Sequence, residues 1–410
     1  ALTLGREAII PRPREYAEIH NRLAPYTDGF ISYSDGVHDD VNKIVWSTLG
    51  WDPNRDVREI LIEYCRVFFD PAIAPAAADG ILALEKNWQG ALADNGAVEG
   101  TLLYWNELEK QAPQLSGNWR WQMNLLRANY DAYTRRRLIY ETKLENQANE
   151  ILAQAPQIGS KAAMKQALDV LNRAQTDPIS PELHARIEEL CQDLFESISL
   201  QTSVEKYNAS GAERGAFLDF VDHPLNNRWW LEDRFTEIAK LPGEAERLKE
   251  LEIIRTWENP GAGSFYDDLG NIAKSPRLIR WNPAGTNPAH VIRSPSTTYW
   301  WLDNGKTRAR PSWLTTMEAG TKVVYEGLDP NANYVIRVAG YGQSLLRADD
   351  QRLQTSLDER GLGEFKEFPV PKDLLKDRKL TITWDAPTGE EHLNWRQQSR
   401  NAEIWLLKQP

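Results

Sequence analysis

The chain has 410 residues, 41% of them hydrophobic and 26% charged, with a formal net charge of -11. That length is too great for one ordinary core and points to two or three domains, and no apolar run approaches the roughly 20 residues that span a bilayer. The acidic balance disfavours a general nucleic-acid binder, which needs basic patches to neutralise phosphates; the densest basic patch here is Arg135-Arg136-Arg137, expected to be a solvated helix face.

Residues 1–50 predict a helix, a strand and a second helix. Pro13 precedes "REYAEIHNRLAPY", where Tyr16, Ile19 and Leu23 recur at helical spacing and Pro25 stops the run. "GFISYS" is short, apolar and aromatic, as buried strands are, and Asp39 or Asp40 then suits the start of a helix through "VNKIVWSTLGW". A helix, strand and helix have no complete sheet to join, so residues 1–55 read as part of a larger fold.

From Asp56 to about Pro260 the pattern is helical. "DVREILIEYCRVFF" has an acidic start and an apolar stripe closed by Pro71 and Pro75. The longest run, "NWRWQMNLLRANYDAYTRRRLIYETKLENQANEILAQA", turns Trp121, Leu125, Tyr133, Leu138 and Leu144 inward. "SKAAMKQALDVLNRAQ" and "SPELHARIEELCQDLFESISLQ" each open on serine, the second with Pro181 at its first helical position. Residues 56–260 therefore predict a bundle of about seven to nine helices with short connections.

Residues 261–300 are rich in Gly, Pro, Asn and Ser and read as a linker or a long ordered loop. The runs "TKVVYEGL", "NYVIRVAGY", "KEFPVP", "KLTITWDA" and "AEIWLLK" then alternate or concentrate apolar residues as strands do, with "LDPNANY" as a turn. Residues 261–410 thus read as a linker and a C-terminal antiparallel β-sandwich. The fold class is α+β and multidomain, an α-helical bundle followed by that sandwich.

Cys65 and Cys191 sit in apolar helical patterns and read as small buried hydrophobes, neither a disulfide framework nor a zinc site. "ALTLGREAII" lacks the charged and apolar regions of a signal peptide. No Gly-x-x-x-x-Gly-Lys phosphate loop, no Gly-x-Ser-x-Gly elbow and no Cys–His dyad is legible, and no cofactor is expected. Sixteen tryptophans and fourteen tyrosines are a high count, and exposed rings of this kind make platforms for sugars.

The stretch "YSDGVHDDVNK", residues 33–43, holds Asp35, His38, Asp39 and Asp40. Its spacing does not match a calcium loop and one histidine is too few for most zinc sites, so no metal is expected. Asp35 with Asp39 or Asp40 could serve as an acid and base pair, but adjacent carboxylates at a helix start are commonly caps, the preferred reading of Asp39 or Asp40. "FYDDLGN", with Asp267 and Asp268, could be a sugar or calcium rim, but an Asx turn is the preferred reading; "HPLNNRWW" suits a planar sugar platform, with at least one of Trp229 and Trp230 expected in the core. In "TTYWWLDNGKTRARPSW", Tyr299, Trp300, Trp301 and Trp313 could form a binding face, with alternate rings turned to the core.

"DGFISYSDGVHDDVNKIVWSTLGWDP" followed by "REILIEYCRVFF" resembles the last strand and helix of the (β/α)8 barrels of large bacterial glycoside-hydrolase-like proteins, relatives of the β-hexosaminidase and α-glucuronidase barrels. The Asn118-Trp119-Arg120 helix and a terminal strand carrying Trp405-Leu406 are also similar to that group. The resemblance implies a short βα barrel-like segment at residues 1–55. It further implies a sugar-facing rim of Tyr33, Ser34, Asp35 and His38, because barrel enzymes bind substrate at the C-terminal ends of their strands. It does not carry over the catalytic Asp-Glu pair, since Asp358-Glu359, the one such pair here, falls late in the sandwich region.

The expected function is therefore the C-terminal, non-catalytic portion of a secreted or periplasmic glycoside-hydrolase-like protein. Its expected ligand is a polysaccharide or oligosaccharide, bound through Tyr33, Ser34, Asp35, His38, Trp300, Trp301 and Trp313. The catalytic acid would lie outside this chain, in an N-terminal barrel region or a partner chain; whether the chain has enzymatic activity stays open. The alternative is an interaction protein whose helical domain docks a partner without binding sugar, signalled by an exposed apolar patch around residues 1–50.

Overall fold

The computed structural model describes residues 9–31, 37–212, 215–279, 297–299, 306–317, 321–385 and 400–409. Helices fill the first two-thirds of the chain and antiparallel sheets the rest.

The helices are α1 (Pro13–Leu23), α2 (Asp40–Trp51), α3 (Val57–Phe68), α4 (Ala74–Lys86), α5 (Ala97–Gln111), α6 (Trp119–Leu152), α7 (Ala155–Ile158), α8 (Ser160–Leu171), α9 (Arg173–Thr176), α10 (Pro181–Ile198), α11 (Val204–Tyr207), α12 (Arg228–Ala239) and α13 (Glu244–Arg255). No helix among the described residues is long and apolar enough to cross a membrane. The axis of the bundle is α6, about 51 Å long at 1.5 Å per residue. Every residue from Trp121 to Thr134 is buried, so this half of the helix is encased rather than amphipathic. Its polar side chains are therefore paired inside: Asn124 and Asn129 donate to the carbonyls one turn back, and Arg127 pairs with Asp131.

One apolar core runs from Ile9 through Val45, Leu61, Trp105, Trp121 and Leu194 to Val221, crossing residue 55 without a break. A second gathers Ala148, Leu152, Ala163, Trp230, Phe235 and Leu251. Helix α6 contributes to both and so joins them.

The sheets comprise β1 (Phe265–Asp268), β2 (Thr297–Tyr299), β3 (Thr315–Met317), β4 (Lys322–Glu326), β5 (Asn333–Tyr341), β6 (Leu346–Ala348), β7 (Gln351–Arg352), β8 (Leu357–Asp358), β9 (Phe365–Pro369), β10 (Lys379–Trp384) and β11 (Arg400–Gln409). Seven strands pair in the order β2-β3-β11-β5-β9-β8, with β1 also on β11; four pair as β4-β10-β6-β7. Ile336, Val338, Phe368, Ile404 and Leu406 of the larger sheet share one core with Val323, Tyr325, Leu346, Leu380 and Ile382 of the smaller. Strands β4 and β10 alternate exposed and buried residues, as a sheet with one wet face must. Strand β11 is buried at every position from Arg400 to Leu406: one face meets the other sheet and its opposite face meets the helical part.

Three expectations change. Gly29–Ile31 of the expected strand lie outside any strand, and Ile31 is 99% exposed; a strand persists only where a neighbour pairs its backbone. "FYDD" is a strand, not an Asx turn: Phe265–Asp268 pairs antiparallel with Leu406–Glu403. The arginine triplet is not a solvated face either, because Arg135 and Arg136 both pair with Glu99, Arg136 also with Glu182, and buried Arg137 with Glu141 and the carbonyls of Val221 and His223. These contacts tie α6 to α5 and α10.

Candidate functional site: a carboxylate cluster where helices meet sheet

Of the residues expected to face sugar, Tyr33, Ser34, Asp35, Trp300 and Trp301 lie outside the described residues. His38 is half-buried in a short 3-10 turn, Val37–Asp39, and its carbonyl accepts from the Ile10 N–H. Asp39 stands at the N-cap of α2, but its side chain caps nothing. Asp40 instead reaches across the bundle. It accepts from the Tyr64 hydroxyl at 2.6 Å and from Arg120 Nε and Nη2 at 2.8 and 3.2 Å, while the Arg120 guanidinium lies over the rings of Phe68 and Trp119. Asn118 caps α6 through the N–H groups of Arg120 and Trp121 and donates to the Phe68 carbonyl. The opening stretch and the Asn118-Trp119-Arg120 segment are thus joined, and what they build is a three-helix fastening.

Trp313 lies in a denser cluster, between the second helical core and the face of β11 that meets it. At its centre is Glu403, with none of its surface exposed. One carboxylate oxygen accepts from the Tyr266 hydroxyl at 2.6 Å and the Trp257 indole at 3.1 Å; the other accepts from the Trp313 indole at 2.7 Å. Arg310 stands 3.4 Å from Glu403 and 2.8 Å from Glu258, its guanidinium over the rings of Trp230 and Trp257. Lys274 pairs with the other oxygen of Glu258 at 2.6 Å. Glu145 of α6 accepts from Asn227 at 2.6 Å.

Asp268 sits directly opposite Glu403 across the β1–β11 ladder, which places their Cβ atoms about 5 Å apart on one face. Burial and the facing Glu403 charge push the Asp268 carboxyl up to about 7. Its Oδ1 is buried and has no hydrogen-bond partner. Burial, and after it Glu258, raises Glu145 as well. Glu258 goes the other way: burial alone would raise it, but Lys274 and Arg310 outweigh that and hold it low. Four carboxyls thus share two cations, Lys274 and Arg310, and two of the four, Asp268 and Glu145, are raised.

Two carboxyls facing each other, Glu403 and Asp268, have the make-up of an acid and base pair. Access decides what they can do: Glu403 is sealed, Asp268 is 6% exposed, and three ring donors occupy both oxygens of Glu403. The arrangement clamps the helical part to the sheet. Among the described residues no three His, Cys, Asp or Glu side chains converge so as to hold a metal ion. Both cysteines are buried and free, their thiols pushed up to about 12 by burial.

In "HPLNNRWW", Trp230 is core, while Asn226 and Asn227 hold α6 through the Glu141 carbonyl and the Glu145 carboxylate. Glu403, Trp257, Arg310 and Lys274 were not among the candidate residues, and Tyr266 and Asp268 were weighed only within "FYDDLGN", as a rim set aside in favour of an Asx turn. One signal was available: in "AEIWLLK" a glutamate interrupts an otherwise apolar strand, and a charge placed there must be paired. No protein-family model, no curated protein and no solved structure matches the chain.

Proposed function

We propose that the chain is the carbohydrate-binding, non-catalytic portion of a secreted or periplasmic glycoside-hydrolase-like protein. The observation that carries the non-catalytic part is the closure of Glu403 and Asp268, whose geometry serves packing. The two sheets with their common core support a β-sandwich. The resemblance of the opening motif supplies the substrate class. Affinity electrophoresis through gels containing dissolved xylan, mannan, β-glucan or chitosan tests this: retardation in at least one gel is expected, and unretarded migration in all of them refutes it.

A second reading, docking onto an N-terminal catalytic barrel region or a partner chain, is favoured by the N-terminal surface. Ile31 and Trp51 are 99% and 93% exposed, and Phe30, which packs against Gly50, is itself 44% exposed. An apolar surface of this kind marks contacts with another protein. Co-purification with the barrel region expressed as a separate chain, lost in Trp51→Asp, would support it; a barrel region that never associates would remove it.

A further inference from the structure

We infer that a cleft at the open edge between the two sheets binds a single neutral sugar ring. The inference rests on the carbohydrate reading above and gives that reading a site away from the N-terminal rim.

The cleft has a volume of about 120 Å³. Since one water needs roughly 10–15 Å³ by the same measure, it holds several waters or one small ring and not a length of polymer. One wall is the segment after β5, with Gln343 and Ser344; the other runs from β7 to β8, with Gln354 and Thr355; Leu353 and Phe368 line its apolar part. Side-chain amides and hydroxyls beside an apolar surface suit a pyranose, which has a rim of hydroxyl groups and an apolar C–H face.

Charge narrows the ligand further. Arg352 lines the cleft but pairs with Asp385, which Arg347 also holds at 2.8 and 3.0 Å. Asp358 lines it too, and pairs with Arg360 at 2.7 Å. Both charges that line the cleft already have partners inside the protein, so a neutral ligand binds without breaking an ion pair.

The walls are also prepared for polar contact. Ser344 is fixed in place, accepting from the Trp384 indole at 2.9 Å and donating to Asn401 at 3.2 Å. On the facing wall Gln354 and Thr355 stand exposed and present an amide and a hydroxyl to the cleft.

Gln354 and Thr355 are exposed and belong to no apolar core, so their replacement leaves the fold intact. The test is calorimetric titration of the whole chain with glucose, galactose, mannose and xylose and their β-linked trisaccharides, repeated on Gln354→Ala and Thr355→Ala, with thermal melts of each. At least a tenfold loss of affinity in both variants, with unchanged melting, is expected. If the wild-type chain binds a sugar and both variants bind it equally well, the cleft is not the site, while the carbohydrate reading stands. If it is retarded by polysaccharide yet binds no single sugar, the one-ring assignment fails. If it binds neither sugar nor polysaccharide, both readings fall.

Discussion

Replacing Asp268 by Asn isolates the electrostatic cost at the helix–sheet clamp. Folding carries this carboxyl from an ordinary value of 3.8 to about 7. The group is raised, so its ionised form destabilises the fold: the penalty is absent below the unfolded value, grows as pH rises between the two values and is complete above the folded one. At 1.36 kcal/mol per pK difference of one, the full penalty is about 4 kcal/mol, of which about 1 kcal/mol has appeared by pH 4.5. Asn keeps the shape and cannot ionise. Relative to wild type, Asp268→Asn should therefore gain about 3 kcal/mol between about pH 4.5 and about pH 8.5, whatever fixed cost the amide brings. Urea denaturation followed by tryptophan fluorescence reads this directly, because Trp257 and Trp313 flank Glu403 opposite Asp268. A stability difference that stays constant between the two pH values would refute the argument that Glu403 and burial hold a proton on Asp268.

Glu403→Ala should cost about 3–5 kcal/mol in the same assay, because it strands three ring donors and Arg310 inside the junction. Asp40→Ala should cost about 1–3 kcal/mol by freeing Tyr64 and Arg120, measured as a lowered urea midpoint; an unchanged midpoint would show the fastening to be passive. Gly340→Ala should abolish soluble folded protein, since its Cβ would clash with the Arg400 carbonyl oxygen; recovery of a folded variant would mean that the β5–β11 bulge can relax. His184, raised mainly by its hydrogen bond to Asp222, contributes stability below its unfolded value that is lost as pH rises through the folded one. His184→Asn should accordingly cost more at pH 5.5 than at pH 8.5, by under about 1 kcal/mol given the exposure of the pair.

The helices were legible because each carries its own evidence. Apolar spacing, Pro181 at the first turn of α10 and Asn118 before α6 are local facts, and the structure keeps those bounds. The five strands of strong alternating or apolar character were legible for the same reason. Short strands such as β6, β7 and β8 were not, since their pairing comes from neighbours and not from their own composition. Asp40 looked like a cap because sequence displays only near neighbours; its partners lie 24 and 80 residues away. Ser180 likewise stands before α10 but adopts a left-handed backbone and accepts from Arg136 instead of capping. The clamp was hidden most thoroughly, because Trp257, Tyr266, Arg310 and Glu403 meet only when β11 is covered on both faces. Trp313 was picked out for its aromatic company, and it proves to be half-buried with its indole N–H on Glu403.

The central claim is that the chain binds carbohydrate and that its buried carboxylates hold the fold together without catalysing. Isothermal titration of a soluble polysaccharide retarded in the gels, with reducing ends counted in the same cell, tests it most directly. The account predicts a heat that saturates and no new reducing ends. A steady heat of turnover with accumulating reducing ends, lost in a folded Glu403→Gln variant, would contradict it.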